Sequence, residues 1–108
     1  MLSEQNRAVL LDFHRRMVNR GVPVTRMVLF GSSARGDADE YSDLDVLVEV
    51  EKKDRTILDS IEQSAWEAEF GPGVMIQPVV MTRDETTHSP NRLSLLLQAV
   101  EEEGIRVA

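Results

Sequence analysis

Two short polar motifs, Gly31-Ser32 and Asp43-Leu44-Asp45, hold the residues of this chain that are best suited to chemistry. Ten residues separate Ser32 from Asp43; an apolar run precedes the first motif and another follows the second. Aspartates two positions apart on a strand share one face, with their backbones about 6.6 Å apart. Such carboxylates can both bind one metal ion or bridge two, and hard oxygen ligands of this kind favour Mg²⁺.

The residues around the first motif are suited to binding phosphate. Gly31 has no Cβ, so a phosphate can approach the backbone closely. Ser32 and Ser33 offer hydroxyl groups, and the free N–H groups of a short helix beginning there would form an anion site. Arg35 lies one turn further on and can form a forked pair with a phosphate. Together with the two aspartates, these residues predict a site for a metal-chelated nucleoside triphosphate.

Each motif taken alone has a simpler explanation. Gly-Ser is common in turns, and Asp-x-Asp at a strand edge is often solvated polarity that discourages aggregation. The joint pattern is more specific, because a strand must precede the first motif, a strand must follow the second, and the spacing must let the chain return. A metal-dependent phosphohydrolase or nuclease is a further alternative, but such sites usually recruit histidine or more carboxylates than the two grouped here.

Hydrophobic periodicity and turn residues predict the order helix, strand, strand, helix, strand, helix. The middle helix is expected to bury a stripe of Ile57, Leu58, Ile61, Ala65 and Trp66. The predicted elements are a helix from Ser3 to about Arg20 that ends at Gly21, strands Thr25–Phe30 and Leu44–Val50, a helix from about Thr56 to Phe70, a strand Val74–Met81 in which Pro78 indicates a sheet edge, a capping box at Thr82–Glu85, a helix Asn91–Glu103 and a short strand Ile105–Val107.

The segment between the first two strands is barely long enough for a helical crossover. We therefore predict that these strands are antiparallel neighbours. Antiparallel pairing would bring the end of the first strand beside the start of the second. It would then place Ser32 and Asp43 at the same edge of the sheet.

Length and composition predict a single domain spanning residues 1–108 with one hydrophobic core. The sequence has no cysteine, no signal-peptide layout and no apolar run near the roughly 20 residues that span a bilayer, so we expect a cytoplasmic protein. The net charge of −7 argues against strong non-specific binding of nucleic acid. It suits a basic protein partner, or cations bound at a carboxylate site.

These motifs resemble those of the minimal nucleotidyltransferases, which are small members of the DNA polymerase β-like superfamily. Their signature is Gly-Ser, ten residues, then Asp-x-Asp, and the likeness covers nearly the whole chain. The matching residues are Gly31, Ser32, Asp43 and Asp45, with Arg35, Gly36 and Ser42 also in agreement.

The resemblance implies an α/β (α+β) fold in which a mixed β-sheet is backed by helices. It implies transfer of a nucleoside monophosphate from a triphosphate such as ATP to a hydroxyl acceptor, with release of pyrophosphate. Asp43 and Asp45 would be the catalytic metal ligands, for two Mg²⁺ ions bound with the nucleotide. Many such proteins resemble antitoxins that modify or mask a small all-helical partner of the HEPN kind.

One departure from the family pattern concerns a third carboxylate on the strand after the middle helix. That strand contains no acid here, and Gln77 is the residue that could occupy the place. An amide can neither accept the proton nor add negative charge. Glu49 lies about 13 Å beyond Asp45 along the strand and is a poor substitute. The alternative function is therefore a catalytically degenerate binding module that masks a helical partner by contact.

Other conspicuous residues have structural explanations. We expect His14 to be a surface or half-buried residue, because no second metal-type residue lies near it in the sequence. His88 lies in a loop of Thr, Ser and Pro, where we expect it to be solvated, with contact to substrate as the alternative. Arg15, Arg16 and Arg20 predict a solvated basic face on the first helix, which could also contact an acidic partner or the triphosphate. Trp66 and Phe70 are expected in the buried stripe rather than in a base-stacking platform.

Overall fold

A computed structural model describes residues 2–31, 34, 43–88 and 91–108 of the chain. Its elements follow the predicted order, with boundaries that differ by at most two residues. In chain order they are helix α1 (Glu4–Asn19), strands β1 (Val24–Phe30) and β2 (Leu44–Val50), helix α2 (Arg55–Glu69), strand β3 (Ile76–Thr82), helices α3 (Arg83–Thr87) and α4 (Asn91–Glu103), and strand β4 (Ile105–Arg106).

The described strands form one mixed sheet in the order β3-β2-β1-β4. β1 pairs antiparallel with β2, as the short connection predicts, and with β4. β2 and β3 are parallel, and α2 is the helix that connects them. β3 lies at the edge of the sheet, which agrees with the presence of Pro78, because proline cannot donate to a second neighbouring strand.

Two hydrophobic layers cover the two faces of this sheet. On one face, α1 and α2 pack against alternate residues of β2; the buried side chains there include Leu10, Phe13, Ile61, Val46 and Val48. On the other face, Val100 of α4 packs with Val28, Leu47 and Met81. The mixed sheet backed by helices confirms the expected fold class.

Local signals fix the helix ends. The Ser3 side chain accepts a hydrogen bond from the backbone N–H of Asn6 at 3.1 Å, which satisfies a donor at the start of α1. Gly21 follows α1 with a φ of +80°, a conformation that only glycine adopts without strain. Thr82 and Glu85 form the predicted capping box of α3.

No helix in the described ranges has the length and apolar character needed to cross a membrane.

The predicted buried stripe of α2 is wrong at Leu58 and Trp66, whose exposures are 39% and 59%. Phe70, just after the helix, is 76% exposed and was also expected to be buried. The residues that α2 buries are Ile57, Ile61, Ser64, Ala65 and Ala68. Three of these residues, Ser64, Ala65 and Ala68, have small side chains that let α1 approach closely. This helix contact turns Leu58 and Trp66 outward.

Two of the three arginines of the predicted basic face, Arg16 and Arg20, form hydrogen bonds to α2. Arg20 donates to Ser64 Oγ at 2.9 Å and to both carboxylate oxygens of Glu67 at 2.8 Å. Arg16 bonds Asp12 and Glu67, while Arg15 pairs with Asp12 on the exposed side. The basic face therefore connects α1 to α2.

Candidate functional site

The antiparallel pairing of β1 and β2 creates the candidate site. Phe30 at the end of β1 is opposite Asp45 near the start of β2. Gly31 follows with a φ of +77°. A Cβ at Gly31 would lie 2.5 Å from Oδ2 of Asp45, closer than real Cβ contacts allow. A larger residue would be strained by the positive φ and would push the Asp45 carboxylate aside, so the chain bends directly against this carboxylate.

Three of the six predicted site residues, Gly31, Asp43 and Asp45, lie within the described ranges. Asp43 and Asp45 are on the same face of the chain at the start of β2, where Asp43 is exposed and Asp45 half-buried. The other three, Ser32, Ser33 and Arg35, lie outside the described residues. Their proposed phosphate contacts remain predictions from the sequence.

Gln77 on β3 is next to the aspartates. The parallel register places it beside Asp45, and its Nε2 donates a hydrogen bond to Asp43 Oδ2 at 3.1 Å. The same Nε2 lies 3.4 Å from Met75 Sδ. A neutral amide therefore occupies the position from which a third carboxylate would reach the pair.

Burial raises the pKa of Asp45 above its usual value, and the nearby charge of Asp43 raises it further. Both causes disfavour the ionised form of Asp45. A divalent cation between the two carboxylates would offset both the effect of burial and the repulsion from Asp43, since it supplies opposite charge where solvent is partly excluded.

The donor set fits Mg²⁺ with substrate phosphates rather than a metal held by protein ligands alone. Within residues 2–31, 34, 43–88 and 91–108, no three His, Cys, Asp or Glu side chains are grouped for a metal ion. Mg²⁺ is usually held by one or two carboxylates, with waters and phosphate oxygens completing its octahedron. Asp43 and Asp45 supply two carboxylates of the required hard-oxygen type.

Glu49, although on the same strand as the aspartates, belongs to a separate buried network. Glu49 is 6% exposed, and its carboxylate accepts hydrogen bonds from Thr25, Arg26 and Thr86. These bonds connect β1, β2 and α3. The expectation that Glu49 does not replace the third carboxylate agrees with this arrangement.

The two histidines and the acids after β3 lie in structural positions. His14 is half-buried on α1. His88 is exposed and lies 3.3 Å from Asp84. Glu85 accepts a hydrogen bond from the backbone N–H of Thr82 at 2.9 Å, which completes the capping box.

Sequence reasoning missed an apolar groove that adjoins the site. The groove lies between α2 and β3, has a volume of about 480 Å³ and includes Trp66, Met75 and Gln77 in its lining. Helical periodicity indicates only approximately which side of α2 faces the core, and it assigned Trp66 to the buried side. The Gly71-Pro72-Gly73 turn, which sends the chain back along α2, is the signal that places Met75 beside that helix.

The solved structures that are similar to this one include two described as toxin-antitoxins. A crystal structure described as the toxin-antitoxin with AMP-PNP has a TM-score of 0.66 and 17% sequence identity, over 95% of this chain and 73% of the other. A crystal structure of a mutant of the toxin-antitoxin MntA-HpeT has the same TM-score and coverage at 16% identity. At these identities the likeness shows the fold.

No curated protein matches the sequence. The model of a protein family described as the nucleotidyltransferase domain matches residues 11–103, which include both polar motifs and all the strands except β4. The chain belongs to the nucleotidyltransferase domain family.

Proposed function

We propose that this protein is a Mg²⁺-dependent nucleotidyltransferase that moves a nucleoside monophosphate from a nucleoside triphosphate, ATP in the first instance, to a hydroxyl group of a partner protein. The observation that carries the proposal is the contact of the Gly31 bend with the Asp45 carboxylate. It joins a backbone able to cradle phosphate to a pair of metal-binding acids. Membership of the nucleotidyltransferase domain family supports the reaction class.

The proposed reaction is a displacement at the α-phosphorus. The acceptor oxygen forms a bond to this phosphorus, and the bond to the oxygen that bridges the α and β phosphates breaks. The bond electrons and negative charge leave with pyrophosphate, while the acceptor proton passes to a base. Gln77 cannot be that base, because an amide does not accept a proton at neutral pH. We propose that the acceptor protein or water takes the proton.

Each site residue has a role in this scheme. Asp43 and Asp45 would bind two Mg²⁺ ions together with the triphosphate. The phosphates themselves would be held by four residues of the first motif and its surroundings: Gly31, Ser32, Ser33 and Arg35. Bound Mg²⁺ would act as a Lewis acid and neutralise the negative charge of the phosphates. Gln77 fixes Asp43 by hydrogen bonding, which restricts the orientation of one metal ligand.

The partner we propose is a small all-helical protein of the HEPN kind, within a toxin-antitoxin pair that acts in the cytoplasm. Two similar folds come from structures described as toxin-antitoxins, one of them with a nucleotide analogue, and this supports the assignment. Residues 1–108 would form the single transferase domain. Modification of the partner by this domain would be the antitoxin activity.

A second candidate function is a degenerate transferase domain that masks its partner by contact alone. The observation that favours it is Gln77, since this amide stands beside the aspartates where a third carboxylate would contribute charge. This alternative predicts stable association with the partner without turnover of nucleotide.

Label transfer distinguishes the two functions. The purified protein is incubated with Mg²⁺, α-labelled nucleoside triphosphates and the small helical protein encoded beside it, and labelled protein is measured. We expect labelling that disappears in Asp43→Asn and Asp45→Asn and persists in Glu102→Gln, a control in an exposed acid of α4. Labelling that survives both aspartate substitutions would rule out this site.

The degenerate function has its own signature. A protein that binds the helical partner, yet has no Mg²⁺-dependent thermal shift with any nucleoside triphosphate, would favour masking over transfer. Thermal shift with ATP and Mg²⁺ in the wild type, reduced in both aspartate variants, would favour the transferase even where the acceptor has not been found.

A further inference from the structure

The groove between α2 and β3 concentrates the exposed apolar side chains of the molecule. Seven large hydrophobic side chains in the described ranges are exposed, and four of them lie in or beside this groove. These four are Leu58, Trp66, Phe70 and Met75, with exposures of 39%, 59%, 76% and 53%. Trp66 and Phe70 also contact each other, with ring centroids 5.9 Å apart. A contiguous apolar surface of this kind marks an interaction site, and tryptophan is among the residues that contribute most to binding.

The shape of the groove suits a helix rather than a strand. The lining residues of α2 run from Leu58 to Glu69, about 16 Å or three helical turns. The open edge of β3 could in principle accept another strand, but Pro78 at its centre has no N–H to donate. An amphipathic helix that packs along α2 would cover the apolar lining of the groove without needing hydrogen bonds from the backbone of β3.

The charge around the groove selects a basic occupant. α2 carries four acids, Asp59, Glu62, Glu67 and Glu69, against one arginine, Arg55. Glu67 is paired with α1, and Glu69 accepts a hydrogen bond from the backbone N–H of Ile76 at 2.8 Å. Asp59 and Glu62 adjoin Trp66 on the outer side. Arg55 lies 3.6 Å from Asp59, and both side chains are exposed. The outer rim is therefore acidic, and lysine or arginine on a bound helix would complement it.

The groove ends beside the candidate site at Gln77, and neither Asp43 nor Asp45 is among its lining residues. Gln77 lines the groove at the edge of β3 and donates to Asp43 at 3.1 Å, and the carbonyl of Met75 accepts from the backbone N–H of Leu44, next to Asp43. A protein seated in the groove would cross the edge of β3 close to the two aspartates.

We propose that this groove is the docking surface for a basic, amphipathic helix of the acceptor protein, which presents its hydroxyl group to Asp43 and Asp45. The identity of this helix as part of the acceptor, and the presentation of its hydroxyl group to the aspartates, rest on the proposed function. The docking itself depends on the groove, its apolar lining and its acidic rim.

Tryptophan fluorescence tests the docking directly, because Trp66 is the single tryptophan of the chain. The probes are a synthetic amphipathic helix of leucine and lysine and a second helix in which glutamate replaces every lysine. We expect saturable binding of the lysine helix with a shift of Trp66 emission to shorter wavelength, at least roughly tenfold tighter than binding of the glutamate helix.

Matched variants separate groove binding from general attraction to an acidic protein. Leu58→Ala and Glu62→Lys should each weaken binding at least roughly fivefold. Val18→Ala, at an exposed apolar position of α1, and Glu102→Lys, which makes the same charge change away from the groove, should leave it unchanged. Asp45→Asn should also bind the helix normally while losing nucleotide transfer, so that failure of docking and failure of the proposed function are distinguishable.

Four results would each overturn the proposal. Equal affinity for the two helices, or indifference to Leu58→Ala, would show that the groove does not bind them. The same emission shift on adding ATP and Mg²⁺ alone would assign the groove to the nucleotide base. The same shift on raising the protein concentration alone would assign it to a second copy of this chain.

Discussion

Gln77 donates a hydrogen bond from Nε2 to Oδ2 of Asp43 across 3.1 Å, from the position on β3 that is in register with Asp45. The three side chains thus meet at one edge of the sheet, two of them as carboxylates and one as an amide. This contact has two consequences. It places a neutral group beside the aspartates at the register position on β3 where an acid would add charge, and it gives Asp43 a neutral donor that holds its orientation.

Replacing Gln77 by aspartate should increase transfer. Gln77→Asp supplies both negative charge and a group able to accept the acceptor proton, and a positioned general base contributes roughly a hundredfold to ten-thousandfold. We expect the rate of label transfer to rise at least tenfold, within that range. Gln77→Asn is the control, since it has the same short side chain without the charge; equal rates in the two variants would show that the site does not use a third acid.

The raised pKa of Asp45 predicts that its charge opposes folding in the absence of metal. Burial and the neighbouring Asp43 raise this pKa in the folded state above its ordinary value of 3.8, so the favourable contribution of the protonated form is lost as pH rises through the folded pKa. Asp45→Asn should therefore raise the Tm at pH 7 without Mg²⁺, by less than the roughly 4–8 °C that 1 kcal/mol represents in a domain of this size. The gain should vanish below pH 4, where wild-type Asp45 is also neutral.

Thermal melts with and without Mg²⁺ check this prediction. Adding Mg²⁺ and ATP should stabilise the wild type and not the variant, which reverses their order. Asp59→Asn, at an exposed position of α2, should change the Tm by much less at either pH. A lower Tm for Asp45→Asn at pH 7 without metal would contradict the assignment.

Much of this fold could be predicted from local sequence because its signals are local. Ser3, Gly21 and the Thr82–Glu85 capping box fix helix ends within a few residues, and a short connection determines the antiparallel pairing of β1 and β2. The burial of α2 could not be predicted in the same way. Hydrophobicity alone assigns Leu58 and Trp66 to the core, whereas close packing with α1 selects the small Ser64 and Ala68.

The site was predictable to the extent that it depends on strand pairing. The register that brings Phe30 opposite Asp45 follows from two adjacent antiparallel strands. The hydrogen bond from Gln77 to Asp43 depends instead on how β3 pairs with β2, which local sequence does not determine. The apolar groove depends on the rotation of α2, so it could be found only when the helices were seen packed together.

Gly31→Ala should disrupt the site, and Gly21→Ala is a closely matched control. Both glycines have positive φ, +77° and +80°, so alanine costs about 1–2 kcal/mol at either position. A Cβ at Gly21 meets nothing within 4 Å, whereas one at Gly31 would lie 2.5 Å from the Asp45 carboxylate. Only Gly31→Ala should weaken the thermal shift produced by ATP and Mg²⁺, by at least half. Equal nucleotide-induced shifts in the two variants would show that the Gly31 bend does not position Asp45.

Glu49 should contribute to stability rather than to transfer. Burial disfavours its charge, but hydrogen bonds from Thr25, Thr86 and Arg26 outweigh this and lower its pKa below the ordinary 4.5. Its stabilising effect is therefore present above pH 4.5 and is lost as pH falls through the lowered pKa of the folded state. We expect Glu49→Gln to reduce the free energy of unfolding by about 1–3 kcal/mol at pH 7, the range for breaking a buried hydrogen-bonded network.

Urea unfolding at several pH values checks the role of Glu49. The difference between wild type and Glu49→Gln should narrow as pH falls from 4.5 through the lowered pKa of folded Glu49, because the unfolded state is then already protonated and the folded carboxylate becomes neutral in turn. Glu51, two residues after Glu49, forms an exposed ion pair with Arg83. The control Glu51→Gln removes this pair and should lower the free energy of unfolding by less than about 1 kcal/mol. If Glu49→Gln instead abolished label transfer while its unfolding free energy stayed at the wild-type value, the carboxylate would belong to the reaction and its burial among Thr25, Arg26 and Thr86 would have to open during turnover.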